Sequence, residues 1–274
     1  MNTLRKVDLM SNNTILVEKK GFVTTLVLNR PDKRNSLTPE MLLRIAQYLK
    51  EFTNDDSIRT VVIRGEGGKA FSAGYDIGEI PKDVSDELME ELRGKNPLEV
   101  GFSAIETFPY PVIVLIDGYA LGAGCELAIS CDIRVASDTS KMGIPPSRIG
   151  LIYHPRGLQR FINVIGLARA KEVFYTGRYY DIMAAKEMGM TNYVVPKSDI
   201  HSFTYDLAEE IAGNAPLSLK GHKFIFSMLL HDQTLGDEDQ TEIQQMIAES
   251  FNSEDLKEGT MAFFEKRKPS FKGK

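Results

Sequence analysis

An α/β fold is what the sequence predicts, and three observations carry the prediction. Strand-like and helix-like runs alternate through the first two hundred residues. Two strand-like runs end in small residues and glycines, and the second passes straight into an apolar helical run at Cys125-Glu126-Leu127-Ala128-Ile129-Ser130-Cys131. After Pro196 the pattern is helical alone. The chain has 274 residues, 42% hydrophobic and 26% charged, close to the average soluble globular protein and long enough to bury a sizeable core. The change of element type near residue 200 suggests an N-terminal tail over 1–13, an α/β core over 14–200 and a helical region over 201–274.

Residues 14–29 are two β-rich runs meeting at Lys19-Lys20-Gly21, a hairpin signal. Residues 30–36 are a loop by composition, and Thr38-Pro39-Glu40 opens a helix to about Phe52, with proline in its first turn. A strand over 59–64 meets the turn Gly65-Glu66-Gly67-Gly68 and continues into Ala70-Phe71-Ser72-Ala73-Gly74. The charged, irregular stretch 81–95 reads as a mobile surface excursion. A buried strand over 112–116 leads through Asp117-Gly118-Tyr119-Ala120-Leu121-Gly122-Ala123-Gly124 into the helical run at 125–131. Short strands are expected at 132–137 and 193–196, then helices near 199–213, 216–230, 239–250 and 254–266.

Composition excludes several classes. Thirty-three Lys and Arg against thirty-eight Asp and Glu give a net charge of -5, without the basic excess that neutralises a phosphate backbone, so nucleic acid is not an expected partner. The longest apolar stretch, 111–116, stops at Asp117, far short of the ~20 residues that span a bilayer, so no membrane segment is expected. Residues 1–13 lack the apolar block of a secretory signal, so a reducing compartment is expected, with the cytoplasm as the default. Cys125 and Cys131 read as packed thiols. The scattered His154, His201, His222 and His231 form no ligand pattern, so no metal is expected.

A strand that ends in glycines and turns into a helix presents unpaired backbone N–H groups reinforced by the helix dipole, an arrangement that binds anions. Gly122-Ala123-Gly124 has this form but matches neither G-x-G-x-x-G nor the Walker pattern, so the nucleotide readings lose their support. Phe71-Ser72-Ala73-Gly74-Tyr75-Asp76-Ile77 is a second such exit, about 48 residues upstream. These two segments, the loop from Arg30-Pro31 to Asn35-Ser36-Leu37, and the ending from Glu258-Gly259 to Glu265-Lys266-Arg267-Lys268-Pro269 together resemble the crotonase superfamily, the enoyl-CoA hydratases and isomerases, over nearly the whole chain from residue 14.

The resemblance implies a crotonase-like spiral of ββα units, a C-terminal helical trimerisation region, and self-association as a trimer or as a hexamer of two trimers. It implies an acyl-CoA thioester as substrate and no cofactor beyond its CoA moiety. The thioester oxygen would lie between the backbone N–H groups of Tyr75 and Ala123, donors for an enolate oxyanion, each worth about 10²- to 10³-fold in rate. Tyr75 stands where the related decarboxylases have a histidine. By the same resemblance Asp76 and Ile77 line the adenine pocket, Lys33 and Arg34 lie beside the CoA, and Ala73 is a further CoA-binding position. Phe263 and Lys266 would reach a neighbouring subunit's CoA.

The resemblance to a hydratase is incomplete. Hydration in this family uses two glutamates as general base and acid. Glu126 fits the first, but aligning Met142-Gly143-Ile144-Pro145-Pro146 with the family's pattern puts Pro146 in the place of the second. Tyr153 falls where a hydratase has proline, and Asp76-Ile77-Gly78-Glu79-Ile80-Pro81 follows the first exit. Both features are shared with the superfamily's methylmalonyl-CoA decarboxylases. Decarboxylation needs no water-activating base: a phenol can hold the substrate carboxylate out of the thioester plane while the electron pair enters the enolate. Decarboxylation of a methylmalonyl-CoA-like substrate, with Tyr75, Ala123, Glu126 and Tyr153 as catalytic groups, is therefore the leading expectation. The alternative is an enoyl-CoA hydratase or isomerase using Glu126 and another group. A catalytically dead binding subunit fits poorly with the acidic charge and the two intact exits. As a buried acid, Glu126 is expected to have a partner, with Arg148 or Arg156 as candidates.

Overall fold

The computed structural model describes residues 13–76, 95–231, 241, 244, 245, 248, 251–267 and 269. The hairpin is β1 (Ile15–Lys20) and β2 (Val23–Leu28), paired antiparallel from Ile15 with Leu28 to Lys20 with Val23. Helix α1 (Pro39–Phe52) starts where Thr38 accepts the Met41 N–H on its hydroxyl at 3.3 Å, and it buries Met41, Leu42, Ile45 and Leu49 on one face.

Three successive units then repeat one pattern. Each supplies a strand to a six-stranded sheet, a short strand to a four-stranded sheet, and a helix. They are β3 (Thr60–Gly65), β4 (Ala70–Ser72) and α2 (Pro97–Thr107); β5 (Val112–Ile116), β6 (Tyr119–Leu121) and α3 (Ala123–Ser130); and β7 (Ile133–Ser137), β8 (Lys141–Gly143) and α4 (Pro155–Thr176). β9 (Tyr179–Asp181), α5 (Ile182–Glu187) and β10 (Tyr193–Val195) complete the two sheets, whose orders are β1-β2-β3-β5-β7-β10 and β4-β6-β8-β9. This is the α/β spiral of ββα units that the resemblance implies.

The central strands are buried on both sides. Along β5, Val112, Val114 and Ile116 join the core formed with α1, α2 and α3, while Ile113 and Leu115 face the opposite layer. That is why the run at 112–116 is continuously apolar instead of alternating. The opposite layer is α6 (Ile200–Ala212), which lays Ile200, Ala208 and Ala212 against Val62, Ile113 and Val135. Helices α7 (Pro216–His231) and α8 (Glu254–Phe264) follow. Leu217, Phe224, Ile225 and Phe226 on α7 and Met261, Phe263 and Phe264 on α8 are exposed.

Several elements differ from the expectation. Helices α2, α4 and α5 and the short strands β8 and β9 occupy stretches to which the sequence reading assigns nothing. Helix α4 is interrupted at Gly166, whose φ of 73° lies outside the helical region. The surface excursion at 81–95, apart from Lys95, and most of the helix expected over 239–250 fall outside the described residues, as does the tail up to residue 12.

Candidate active site

The two glycine-rich strand exits meet. A Cβ placed on Gly74, whose φ is +109°, would lie 2.9 Å from the Leu121 carbonyl oxygen and 3.6 Å from the Ala123 nitrogen, so only glycine allows this approach. On the first exit, Leu37 and Tyr75 form a parallel bridge closed by the Leu37 N–H to the Gly74 carbonyl at 2.8 Å and the Asp76 N–H to the Leu37 carbonyl at 2.9 Å. Because successive N–H groups of an extended chain point to opposite sides, the Tyr75 N–H points away from Leu37. On the second exit, Ala123 is the first residue of α3, so its N–H has no acceptor within the helix. Two backbone donors thus stand on adjoining exits, one of them reinforced by the α3 dipole, suited to a carbonyl oxygen that gains negative charge.

Glu126 lies one turn into α3 and is 3% exposed. One of its oxygens, Oε1, accepts from Arg160 Nη1 at 2.9 Å, and the other, Oε2, accepts from the Tyr153 hydroxyl. The partner is therefore Arg160 on α4. Arg156 instead bonds Glu99 at 3.0 Å, and the Arg148 guanidinium lies over the Tyr179 ring at 5.6 Å. Tyr153 is half-buried, its ring 5.2 Å from that of Phe174. Gly157 makes the pairing possible, since a Cβ there would lie 2.5 Å from Tyr153 Cε1 and 2.9 Å from Glu126 Oε1.

Arg160 is 6% exposed and serves three carboxylates at once. It donates to Glu106 through Nε at 2.7 Å and Nη2 at 3.1 Å, to Glu99 through Nη1 at 3.0 Å and Nη2 at 2.9 Å, and to Glu126 through Nη1. Burial pushes the Glu126 carboxyl above the usual range, and the charge of Arg160 offsets this only in part. Glu99 also suffers burial, but its hydrogen bonds and ion pair with Arg160 bring it below the usual range. Burial and the adjacent Glu126 charge hold the Tyr153 phenol well above its ordinary value. At neutral pH the phenol therefore keeps its proton.

The candidate CoA loop adjoins the first exit. Lys33 and Arg34 are exposed, and the Arg34 carbonyl accepts the N–H of exposed Ala73 at 2.9 Å. Asp76 is half-buried, with its carboxylate on Arg30 at 3.0 Å and on the Ser36 hydroxyl at 3.2 Å. Ile77 lies outside the described residues, as does the rest of the motif through Pro81. Phe263 and Lys266 are exposed on α8 and the turn after it. α8 packs through Gly259 onto Ile149, in the short 3-10 turn over Pro146–Ile149. Pro146 itself is buried in that turn.

Residue-level reading of the sequence misses Arg160, Glu99, Glu106 and Gly157. It also passes over Asn35, which is fully buried and ties the candidate CoA loop to the strand before the first exit. Asn35 donates to the Glu66 carbonyl at 2.9 Å and the Ala70 carbonyl at 2.8 Å, and accepts the Arg30 N–H at 3.0 Å. Its place in the Asn35-Ser36-Leu37 motif was the available signal, and the structure puts it at a left-handed φ of 54°, a conformation asparagine tolerates better than most residues. Among the described residues no cluster of His, Cys, Asp or Glu is arranged to hold a metal ion, and no helix is long and apolar enough to cross a membrane.

Two backbone donors on adjoining exits beside a buried acid on a ββα spiral make an arrangement suited to an acyl oxygen that gains negative charge. The enoyl-CoA hydratase/isomerase family model matches residues 18–274, and the chain belongs to that family, within the crotonase superfamily of acyl-CoA enzymes. It is 32% identical over 265 residues to the short-chain-enoyl-CoA hydratase of Clostridium acetobutylicum, covering 94% of this chain and 97% of that protein. Among solved structures it is similar to a methylmalonyl-CoA decarboxylase complexed with 2S-carboxypropyl-CoA, with a TM-score of 0.87 and 30% identity over 97% of this chain and 100% of the other. It is likewise similar to an enoyl-CoA hydratase from Bacillus anthracis, with a TM-score of 0.73 and 31% identity over 96% of this chain and 100% of the other.

Proposed function

We propose that the chain is an acyl-CoA lyase that forms a thioester enolate by releasing carbon dioxide from a methylmalonyl-CoA-like substrate. The observation that carries the reading is the hydrogen bond from Tyr153 to the buried Glu126, at a site where the resemblance puts Pro146 in place of a hydratase's second glutamate. In this reading the N–H groups of Tyr75 and Ala123 receive the thioester oxygen. Tyr153 holds the departing carboxylate perpendicular to the thioester plane, and the electrons of the breaking C–C bond enter the enolate. Lys33, Arg34, Ala73, Asp76 and Ile77 border the CoA, with Phe263 and Lys266 offered to the CoA of a neighbouring copy. No cofactor beyond that CoA moiety takes part. The exposed apolar residues of α7 and α8 support self-association as a trimer or hexamer. The buried free thiols Cys125 and Cys131 fit the reducing cytoplasm.

A second reading is hydration or isomerisation of a short-chain enoyl-CoA. The names of the sequence relatives favour it over decarboxylation. Under that reading Glu126 works with Tyr153, the hydroxyl it already contacts, in place of a second glutamate. A panel of CoA thioesters separates the two. Carbon dioxide from methylmalonyl-CoA, without loss of the crotonyl-CoA chromophore, is the result expected for the lyase. The reverse pattern assigns the chain to hydration. Isomerisation of a 3-enoyl-CoA with neither of these activities assigns it to the isomerases.

A further inference from the structure

A count of the protons at the Tyr153–Glu126 pair leads beyond the reaction class, and the inference rests on the decarboxylase reading. Tyr153 has one proton to donate, and in this structure it goes to Glu126 Oε2. A carboxylated acyl group held by Tyr153 needs that same proton. If Tyr153 simply turned to the substrate, Glu126 Oε2 would lose its donor inside a buried site and face a second carboxylate. Arg160 cannot absorb the extra negative charge, because its single guanidinium already answers Glu99 and Glu106 as well as Glu126. A proton added to Glu126 resolves the conflict. The Glu126 carboxylic acid then donates to the Tyr153 oxygen, and Tyr153 donates to the substrate carboxylate.

We propose that binding of a carboxylated acyl-CoA draws one proton from solvent onto Glu126, and that this proton resupplies Tyr153 after Tyr153 protonates the α-carbon. The step balances. The C–C bond breaks, carbon dioxide leaves, and its electron pair enters the enolate. The enolate carbon then forms a bond to the Tyr153 proton, Tyr153 takes the proton of Glu126, and Glu126 returns to a carboxylate on Arg160. Decarboxylation of a malonyl-type thioester consumes one proton overall, and here it is loaded at binding. The charged and titratable groups packed around the pair are Arg160, Arg156 and His154 on and before α4, Glu99 and Glu106 on α2, and Cys125 on α3. His154 is held below its usual value by burial. Burial pushes the Cys125 thiol up to about 12, so it does not exchange protons near neutrality.

The test is calorimetry of 2-carboxypropyl-CoA, a thioether that cannot form the enolate, in pairs of buffers with different ionisation enthalpies between about pH 6 and pH 9. The wild type is expected to take up close to one proton per ligand over part of that range, and none with propionyl-CoA, which has no free carboxylate. Glu126→Gln is expected to bind the carboxylated ligand without proton uptake, because its amide N–H reaches the Tyr153 oxygen directly. Zero uptake by the wild type across the range, or unchanged uptake by Glu126→Gln, overturns the proposal. Carbon dioxide release from methylmalonyl-CoA, measured alongside, separates the failures. Release without uptake removes the proton loading and leaves the lyase reading standing, whereas no release removes both.

Discussion

Gly157→Ala tests the geometry of the site without removing any of its functional groups. The added methyl would sit 2.5 Å from Tyr153 Cε1, where ordinary contact begins at 3.4 Å, so the ring must retreat by about 1 Å. The Phe174 ring 5.2 Å away leaves that retreat little room, and Glu126 Oε1, 2.9 Å from the same methyl, is crowded where Arg160 holds it. A shift of this size breaks the Tyr153–Glu126 hydrogen bond. A hydrogen bond to a charged group is worth about 1.5–3 kcal/mol, which translates into a loss of about 10- to 150-fold in kcat/KM. Overpacking costs about 1–3 kcal/mol and the better helix propensity of alanine returns up to about 1 kcal/mol, so the variant stays folded. Acetyl-CoA affinity, measured by calorimetry, should stay within about twofold, because in the proposed site the methyl touches Tyr153 and Glu126 rather than the residues proposed to border the CoA. Turnover unchanged from wild type, with the fold intact, would refute the claim that the contact matters to the reaction.

Removing the shared cation has a signed pH dependence. Arg160→Met leaves Glu126 and Glu106 without a guanidinium and Glu99 with Arg156 alone, and should cost about 3–5 kcal/mol in urea unfolding near neutral pH. Glu99, lowered in the fold, contributes stability above its unfolded pKa that is lost as pH falls, whereas Glu126, raised in the fold, costs stability above its unfolded pKa and is relieved as pH falls. The deficit of the variant should therefore be larger at pH 8 than at pH 5, and a deficit equal at both would contradict the assignment. Asn35→Ala strands the Glu66 and Ala70 carbonyls and should cost about 2 kcal/mol or more while weakening acetyl-CoA binding; unchanged affinity would separate this loop from the CoA. Light scattering should give a mass that is a multiple of 30.7 kDa, and a value of 30.7 kDa at micromolar concentration would contradict self-association through α7 and α8.

The hairpin, α1, β3, β5, α3 and the C-terminal helices α6, α7 and α8 were legible because each combines an apolar run with a definite start or stop. Strands β4, β6, β8 and β9 are three residues long, too short to show a period of two, so the second sheet came only with the resemblance to a family. Helix α4 was hidden for a different reason. Gly166 breaks its helical period, and Arg160 lies on its buried face, where the pattern calls for an apolar residue. Missing α4 also meant missing Arg160, the partner of Glu126, which lies one turn beyond Arg156, one of the two candidates expected with Arg148. Helix α2 had readable signals in Asn96, Pro97 and the spacing of Leu98, Gly101, Phe102 and Ile105, and passing over it hid Glu99 and Glu106. Glu126 and Tyr153 could be picked out one at a time, whereas their contact depends on where α4 lies against α3.

The most direct test of the central claim is the rate of labelled carbon dioxide release from carboxyl-labelled methylmalonyl-CoA by wild type and by Tyr153→Phe. The account predicts turnover by the wild type and a decrease of about 10-fold or more in the variant, with acetyl-CoA affinity nearly unchanged, the worth of one hydrogen bond to a charged group. No labelled carbon dioxide from the wild type, together with rapid hydration of crotonyl-CoA, would contradict it.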